Sequence, residues 1–205
     1  MNDQAPIGPE RQLMPPLDPL DVAPNGVPWR RYFPWWEKRE EARALPQEDR
    51  LQYLIDFLSD LPAPPWVNRD RLFRFIAETP AVFCMTMWCY FDKVFEADYT
   101  SKNRVAMLPG AAEFPEVCGT AGCAAGWTVM LFSDATPMEL FASKGAPWAS
   151  FASDLLGIDR EYGYYLFVAS SDDGEDAVLR SLKHLRDHGV PLGYPGYLRR
   201  AGVES

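Results

Sequence analysis

The sequence predicts an all-α protein, a compact multi-helix bundle that carries an extended, proline-rich N-terminal arm. Apolar residues recur at helical spacing in several stretches, and no stretch combines convincing alternation with hairpin signals. The first 34 residues differ, because they hold eight of the 19 prolines and show neither a helical nor a strand period. We therefore expect an arm over residues 1–34 and an α-helical domain over residues 35–205.

The arm carries apolar side chains at intervals, which predicts that it lies on a partner protein. Polyproline-type backbone loses little entropy when it docks, and the aromatic cluster at the end of the arm has the composition of a binding hot spot. The alternative is a hinge that packs on the protein's own body. The predicted partner-binding residues are Leu13, Met14, Leu17, Leu20, Trp29, Arg30, Arg31, Tyr32, Phe33, Trp35 and Trp36.

Three helices are predicted in the first part of the body. Residues 35–45 form a charged helix, and a second helix follows with Pro46 in its first turn. A third helix begins after Asn68, an N-cap candidate, and ends before Pro80. The apolar stripe of the second helix consists of Leu51, Leu54, Ile55, Leu58 and Leu61.

The middle of the chain is rich in aromatic, methionine and glycine residues. Residues 81–91 are expected to form a short buried helix, and residues 92–117 lack periodicity and indicate a long loop. A further helix begins near Thr120, which is a good N-cap. Gly122 and Gly126 are four residues apart among alanines, so this helix presents a small face that another helix can approach closely.

The last part of the body again shows helical signals. One helix is predicted over residues 148–156, where Gly157 can cap it, and another follows over residues 158–169. The final helix spans residues 175–188, with an acidic first turn and Gly189 as its end.

Four cysteines fall into two pairs of equal separation, Cys84 with Cys89 and Cys118 with Cys123. Two C-x4-C pairs have a spacing that zinc can use. Positions five apart on a helix point in different directions, however, so Cys84 and Cys89 are interpreted as small core residues. We therefore predict no metal site.

Cys118 and Cys123 flank the predicted helix start, so their sulfurs can form a disulfide or a dithiol there. The amides at a helix N-terminus stabilise a thiolate, which gives the alternative function: a thiol-dependent enzyme, a redox protein or a zinc-binding protein. Such an enzyme also needs a base, and the sequence offers only His184 and His188, in the last turn of a helix.

Several motifs together resemble a group of small uncharacterised helical proteins from bacteria and their phages. They are F-x-M-x-x-W at Phe83 to Trp88, C-G-T-x-x-C-x-A-G-W at Cys118 to Trp127, A-x-x-L-L-G-I at Ala152 to Ile158, and L-F at Leu166. The likeness covers about residues 68–190 and leaves out the arm. It implies a related fold and a phage or mobile-element origin. The first cysteine pair is not part of the shared pattern.

The charge, the apolar runs and the motif content of the sequence exclude several classes of function. The net charge of −9 disfavours direct binding to nucleic acid. No apolar run is long enough to span a membrane, and the first 30 residues do not read as a secretory signal, so we expect a cytoplasmic protein or one built into a particle assembled there. The sequence lacks the common nucleotide-binding and hydrolase motifs. We therefore predict a non-enzymatic assembly protein without cofactor, an accessory or cementing component that binds copies of itself or a larger assembly through its arm.

Overall fold

Helices make up most of the structure, a computed structural model that describes residues 21–64, 69–88, 90–91, 95–98, 104–107, 120–142, 147–169 and 174–194. A π-helical turn, Tyr165–Ala169, continues the eighth helix. The helices are α1 (Trp29–Tyr32), α2 (Trp36–Arg43), α3 (Gln47–Asp60), α4 (Arg69–Glu78), α5 (Ala124–Phe132), α6 (Pro137–Ala142), α7 (Trp148–Leu156), α8 (Arg160–Tyr164) and α9 (Glu175–His188).

Two small sheets accompany these helices, so the protein is mostly α-helical and the prediction of a purely all-α fold is wrong. In the three-stranded sheet the order is β1–β5–β2, with β5 parallel to β1 and antiparallel to β2. The second sheet is the antiparallel pair β3–β4. The strands are β1 (Ala81–Phe83), β2 (Tyr90–Phe91), β3 (Phe95–Asp98), β4 (Arg104–Met107) and β5 (Thr120–Gly122).

The short helix predicted over residues 81–91 is therefore replaced by strands β1 and β2. All three residues of β1 are buried, so no alternation of polar and apolar residues marks the strand. Its hydrogen-bonding partner lies far along the chain, since Ala81 pairs with Thr120. The loop predicted over residues 92–117 likewise contains β3 and β4.

Helices with strong local signals lie where the sequence places them. Helix α7 has the predicted bounds and is capped by Gly157 at a φ of 68°. Helix α9 also has the predicted bounds and ends at Gly189, whose φ is 73°. Both glycines take the left-handed conformation that is favourable for a residue without a Cβ atom.

Helix α5 lies at the centre of the core. All nine of its residues are buried, and it packs against α2, α3 and α7. Trp127 is fully buried, and its indole Nε1–H donates to the carbonyl of Val82 at 3.0 Å, which fixes α5 to strand β1. Met130 and Leu131 are fully buried beside it.

The core also includes residues ahead of Trp35. Ala23, Trp29 and Phe33 are buried in the same hydrophobic cluster as α5. Residues 21–34 therefore belong with the helical body, which corrects the predicted extent of the arm. Residues 1–20 lie outside the described part of the chain.

Candidate functional site

The aromatic residues predicted to bind a partner lie inside the protein's own core. Trp29, Tyr32, Phe33, Trp35 and Trp36 each expose 5% or less of their surface. The Phe33 ring lies 5.0 Å from the Phe91 ring, and the Trp35 ring meets Trp127 edge-on at 5.2 Å. Their assignment as partner-binding residues is therefore wrong, because a buried ring offers no surface to another protein. The alternative of a hinge packed on the body describes them correctly.

The other predicted partner-binding residues divide into two groups. Arg30 and Arg31 are exposed on α1. The four aliphatic residues of the arm lie outside the described residues, so their role stays a prediction; they are Leu13, Met14, Leu17 and Leu20.

Residues 21–28 form a fixed turn that joins the arm to the body. Val22 and Pro28 form an isolated antiparallel bridge around Gly26. Asp21 Oδ1 accepts a hydrogen bond from the indole of Trp36 at 3.1 Å, and Asn25 donates its amide N–H to the Tyr32 hydroxyl at 2.8 Å. The chain therefore enters the described structure at one defined place, beside α2.

Cys123 caps helix α5, a role that the sequence assigned to Thr120. Thr120 lies in β5, whereas the Cys123 sulfur accepts a hydrogen bond from the Gly126 amide at 3.4 Å. Burial raises the pKa of the Cys123 thiol to about 11, against the opposing effect of the nearby backbone amides. Desolvation outweighs the helix N-terminus here, and the sulfur is a protonated thiol at neutral pH.

The predictions for the other cysteines are tested only where these residues belong to the described part of the chain. Cys84 is a buried free thiol whose pKa is also raised by burial, as expected for a core residue. The Cys123 thiol is free in the structure, and Cys118 lies outside the described residues, so their pairing under oxidising conditions stays a prediction. Cys89 lies outside them as well. No cluster of three His, Cys, Asp or Glu side chains suited to a metal occurs among the described residues.

The two histidines form hydrogen bonds at the end of α9. Their rings stack at 4.2 Å. Nδ1 of His184 lies 2.8 Å from the carbonyl oxygen of Val190, and Nδ1 of His188 lies 3.2 Å from that of His184. The described contacts of both rings thus belong to the C-terminus of their own helix.

The face predicted from Gly122 and Gly126 is not part of one helix, because Gly122 lies in β5 and only Gly126 lies in α5. The neighbour of Gly126 is a turn instead of a helix. A Cβ atom at Gly126 would overlap the backbone carbonyl oxygen of Trp88, which lies in the turn between β1 and β2. A Cβ atom at Gly122 would lie 2.7 Å from the methyl carbon of Met130. Gly126 therefore allows the β1–β2 turn to pack against the start of α5, and Gly122 leaves room for the Met130 side chain.

The structure also shows a surface cavity that sequence reasoning missed, here called the α6–α7 groove. Its volume is about 820 Å³. Its lining comes mainly from α6, α7 and the segment between α5 and α6, with one residue each from α5 and α8. The lining residues are Val129, Asp134, Ala135, Glu139, Leu140, Pro147, Trp148, Ser150, Phe151, Asp154 and Arg160.

Helix α6, one wall of this groove, has a sequence signal that could have predicted it. Thr136 and Glu139 form a capping box: the Glu139 carboxylate accepts from the Thr136 amide at 2.7 Å, and the Thr136 hydroxyl accepts from the Glu139 amide at 3.3 Å. The hydrogen bonds from Thr136 also lower the pKa of Glu139, which keeps this carboxylate charged.

A buried arginine, Arg39, lies near two acidic residues of the groove, Asp134 and Glu139. Its Nη2 donates to the Ser133 carbonyl, and its guanidinium lies 4.1 Å above the Trp36 ring. Burial, and secondly the charge of Arg43, lower the pKa of Arg39 to about 10. The negative charges of Asp134 and Glu139 raise the pKa of Arg39. These two groove carboxylates therefore help to stabilise the buried guanidinium in its charged form.

Comparison with known proteins identifies no related protein. No family model, no curated protein and no solved structure matches this chain. Among the described residues, no helix is both long and apolar enough to cross a membrane.

Proposed function

We propose that the protein is a non-enzymatic assembly protein that docks on another protein through the segment ahead of Asp21. The observation that supports this is the anchoring of residues 21–36. The Asp21 carboxylate is bound to Trp36, and the aromatic rings behind it are buried. An arm that connects two proteins has to be held firmly by one of them. Here the arm joins the body at Asp21, which is held by its hydrogen bond to Trp36.

The docking residues proposed are the four aliphatic side chains of the arm: Leu13, Met14, Leu17 and Leu20. Arg30 and Arg31 remain candidates at its base, because both are exposed. The partner is another protein subunit, whether a second copy or a component of a larger assembly. The resemblance to bacterial and phage proteins supports a role as an accessory or cementing component of a phage particle, assembled in the cytoplasm.

The alternative function, thiol chemistry centred on Cys118 and Cys123, has less support from the described residues. A nucleophilic or metal-binding sulfur has to ionise, and burial raises the pKa of Cys123 to about 11. A surface cysteine at a helix N-terminus would show the opposite shift. Cys123 therefore lacks the ionised sulfur that this function needs at neutral pH.

The proposal is tested with a full-length variant in which the four aliphatic arm residues are replaced by serine. We expect the variant to lose the partner that the wild-type protein holds after crosslinking in its native cells, because the apolar contact area is removed. The matched control changes Tyr164 and Leu192 to serine, since both are exposed apolar side chains of the body. If the variant with four serines in the arm keeps the same partner at the same stoichiometry, the arm is not the docking element.

A further inference from the structure

We infer that His184 and His188 together bind a divalent transition-metal ion through their Nε2 atoms. The two residues are four positions apart on α9, so their rings lie on one face of the helix. The rings stack at a centroid distance of 4.2 Å, with their planes 20° apart. Imidazole is the commonest metal ligand in proteins, and two histidines at i and i+4 of a helix can share one ion.

The hydrogen bonds of the two rings determine which nitrogen is free for a metal. Nδ1 of His184 lies 2.8 Å from the carbonyl oxygen of Val190, and Nδ1 of His188 lies 3.2 Å from that of His184. A carbonyl oxygen only accepts, so Nδ1 carries the proton in both neutral rings and Nε2 keeps the lone pair. Metal-bound histidines usually have this arrangement, in which the second nitrogen donates to a carbonyl or a carboxylate.

Both Nε2 atoms are available to an ion from solvent. His188 is exposed and His184 is half-buried. Within the part of the chain that the structure describes, neither Nε2 atom forms a hydrogen bond. The ring of His184 is also held in place, because Val190, whose carbonyl it contacts, is itself buried. A ligand that is already oriented loses less entropy when it binds a metal.

The number and type of ligands select the kind of metal. The described residues contain no cluster of three His, Cys, Asp or Glu side chains suited to a metal, so this pair supplies two ligands and leaves the other positions to water. Asp187 is not a third ligand, because both of its carboxylate oxygens are bound to Arg186, at 2.7 and 3.0 Å. Two imidazoles with water suit Cu²⁺ and Ni²⁺, whereas Mg²⁺ and Ca²⁺ require oxygen ligands.

Binding requires a small movement of the rings. A metal–nitrogen bond is about 2.0–2.1 Å long, so two nitrogens at right angles on one ion are about 3 Å apart. Rings stacked at 4.2 Å therefore have to tilt towards each other at their Nε2 edges. His188 is the exposed ring and can rotate about its side-chain bonds. The bound ion then links two successive turns at the end of α9, so it should stabilise the folded protein.

The test uses the full chain after its accessible thiols have been blocked with iodoacetamide, so that cysteine does not compete for the metal. The probe is Ni²⁺, and its binding is measured by equilibrium dialysis at neutral pH in millimolar Mg²⁺. Two variants each remove one ligand, His184→Gln and His188→Gln. Glutamine keeps an N–H group that can donate to the same carbonyl.

A third variant is the matched control for the number of histidines. It combines Lys183→His with His188→Gln, so two histidines remain but occupy neighbouring positions, which do not face each other on a helix. Lys183 is exposed, as is His188, so neither change disturbs the core. Thermal melts in EDTA verify that the variants are folded before metal is added.

We expect the wild type to bind one Ni²⁺ and each variant to bind it at least about tenfold more weakly, because a single imidazole loses the second, intramolecular contact. The control variant should bind as weakly as His188→Gln. Ni²⁺ should also raise the melting temperature of the wild type more than that of any variant.

Three results would each overturn the inference. The first is equal affinity of the wild type and both glutamine variants, because the ion then lies elsewhere. The second is wild-type affinity in the control variant, because the spacing of the histidines then has no effect. The third is Ni²⁺ binding that is present before the thiols are blocked and absent afterwards, because the ligands are then cysteines.

This inference and the proposed function fail separately. The variant with four serines in the arm keeps both histidines, so it should bind Ni²⁺ like the wild type. His188→Gln leaves the arm in place, so it should retain the native partner.

Discussion

At the scale of single residues, Cys123 shows how burial can reverse an expectation based on helix position. The sequence predicts a helix N-terminus that lowers the thiol pKa, and the structure does place the Cys123 sulfur at an N-cap. Its exposed fraction is only 2%, however, and the desolvation of the thiolate is the larger effect. A residue's position on an element can be predicted locally, but its distance from solvent depends on the whole core.

This pKa shift predicts how stability depends on pH. The ordinary thiol pKa is 9.0, and the folded value for Cys123 is about 11, so unfolding releases a proton between these values. The stabilisation is complete below pH 9 and falls as the pH rises toward 11. We expect the wild-type protein to lose about 1 kcal/mol of unfolding free energy by pH 10, relative to Cys123→Ser.

Denaturant unfolding at pH 8, 9 and 10 measures this difference. Serine keeps an acceptor at the N-cap and does not titrate in this range, and the other titrating groups are common to both proteins. A gap between wild type and variant that stays constant over the three pH values would contradict the shift.

A second prediction at this scale concerns Gly126. An alanine at this position places its Cβ atom on the Trp88 carbonyl, so the β1–β2 turn has to move. We expect Gly126→Ala to lower the free energy of unfolding by about 2 kcal/mol or more. Lys183→Ala, at an exposed position of α9, is the control and should change it by less than about 0.5 kcal/mol. Equal urea midpoints for the two variants would mean that the turn yields without cost.

At the scale of elements, the helices and the strands differ in how well the sequence predicts them. Helix α7 is defined by its own residues and by Gly157, which follows it directly. Strand β1 has only three residues and acquires its hydrogen bonds from β5, which is distant in sequence. A short buried strand cannot be distinguished from a buried helix by periodicity, so the helical prediction for residues 81–91 failed.

Strand β5, the central strand of the three-stranded sheet, is also bound to the segment between α1 and α2. The Trp35 indole donates to the Thr120 hydroxyl at 2.9 Å, and both residues are buried. We expect Thr120→Val to cost about 1–3 kcal/mol, because it leaves a buried N–H group without an acceptor. The cost should be clearly smaller in a Trp35→Phe background, which has no N–H group to satisfy.

A double-mutant cycle by chemical denaturation measures this coupling. The cycle contains its own control, since the Trp35→Phe background keeps the same change at Thr120. An equal cost of Thr120→Val in both backgrounds would show that this hydrogen bond does not hold the two elements together.

At the scale of the whole molecule, the boundary between arm and body decides which truncations fold. Removing residues 1–34 would take Trp29, Tyr32 and Phe33 out of the core, where each exposes 2% or less of its surface. We expect that protein to be unfolded or to lose most of its cooperative thermal transition, because each large aromatic contributes about 3 kcal/mol or more. Removing residues 1–20 should leave the melting transition close to that of the full chain.

Near-UV circular dichroism and thermal melts of the two truncated proteins test this boundary. The shorter truncation serves as the control for the longer one. A cooperative melt of the protein that starts at residue 35 would show that the buried aromatic cluster is dispensable.

The sequence by itself determined the features that depend on neighbouring residues: the helical character, the bounds of α7 and α9, and the glycine caps. Only the tertiary structure decided the others. Pairing of β1 with β5, burial of Trp29 and Phe33, the raised pKa of Cys123 and the groove between α6 and α7 all depend on contacts between distant segments. The physical reason is that periodicity and capping act within a few residues, whereas burial depends on which surfaces meet.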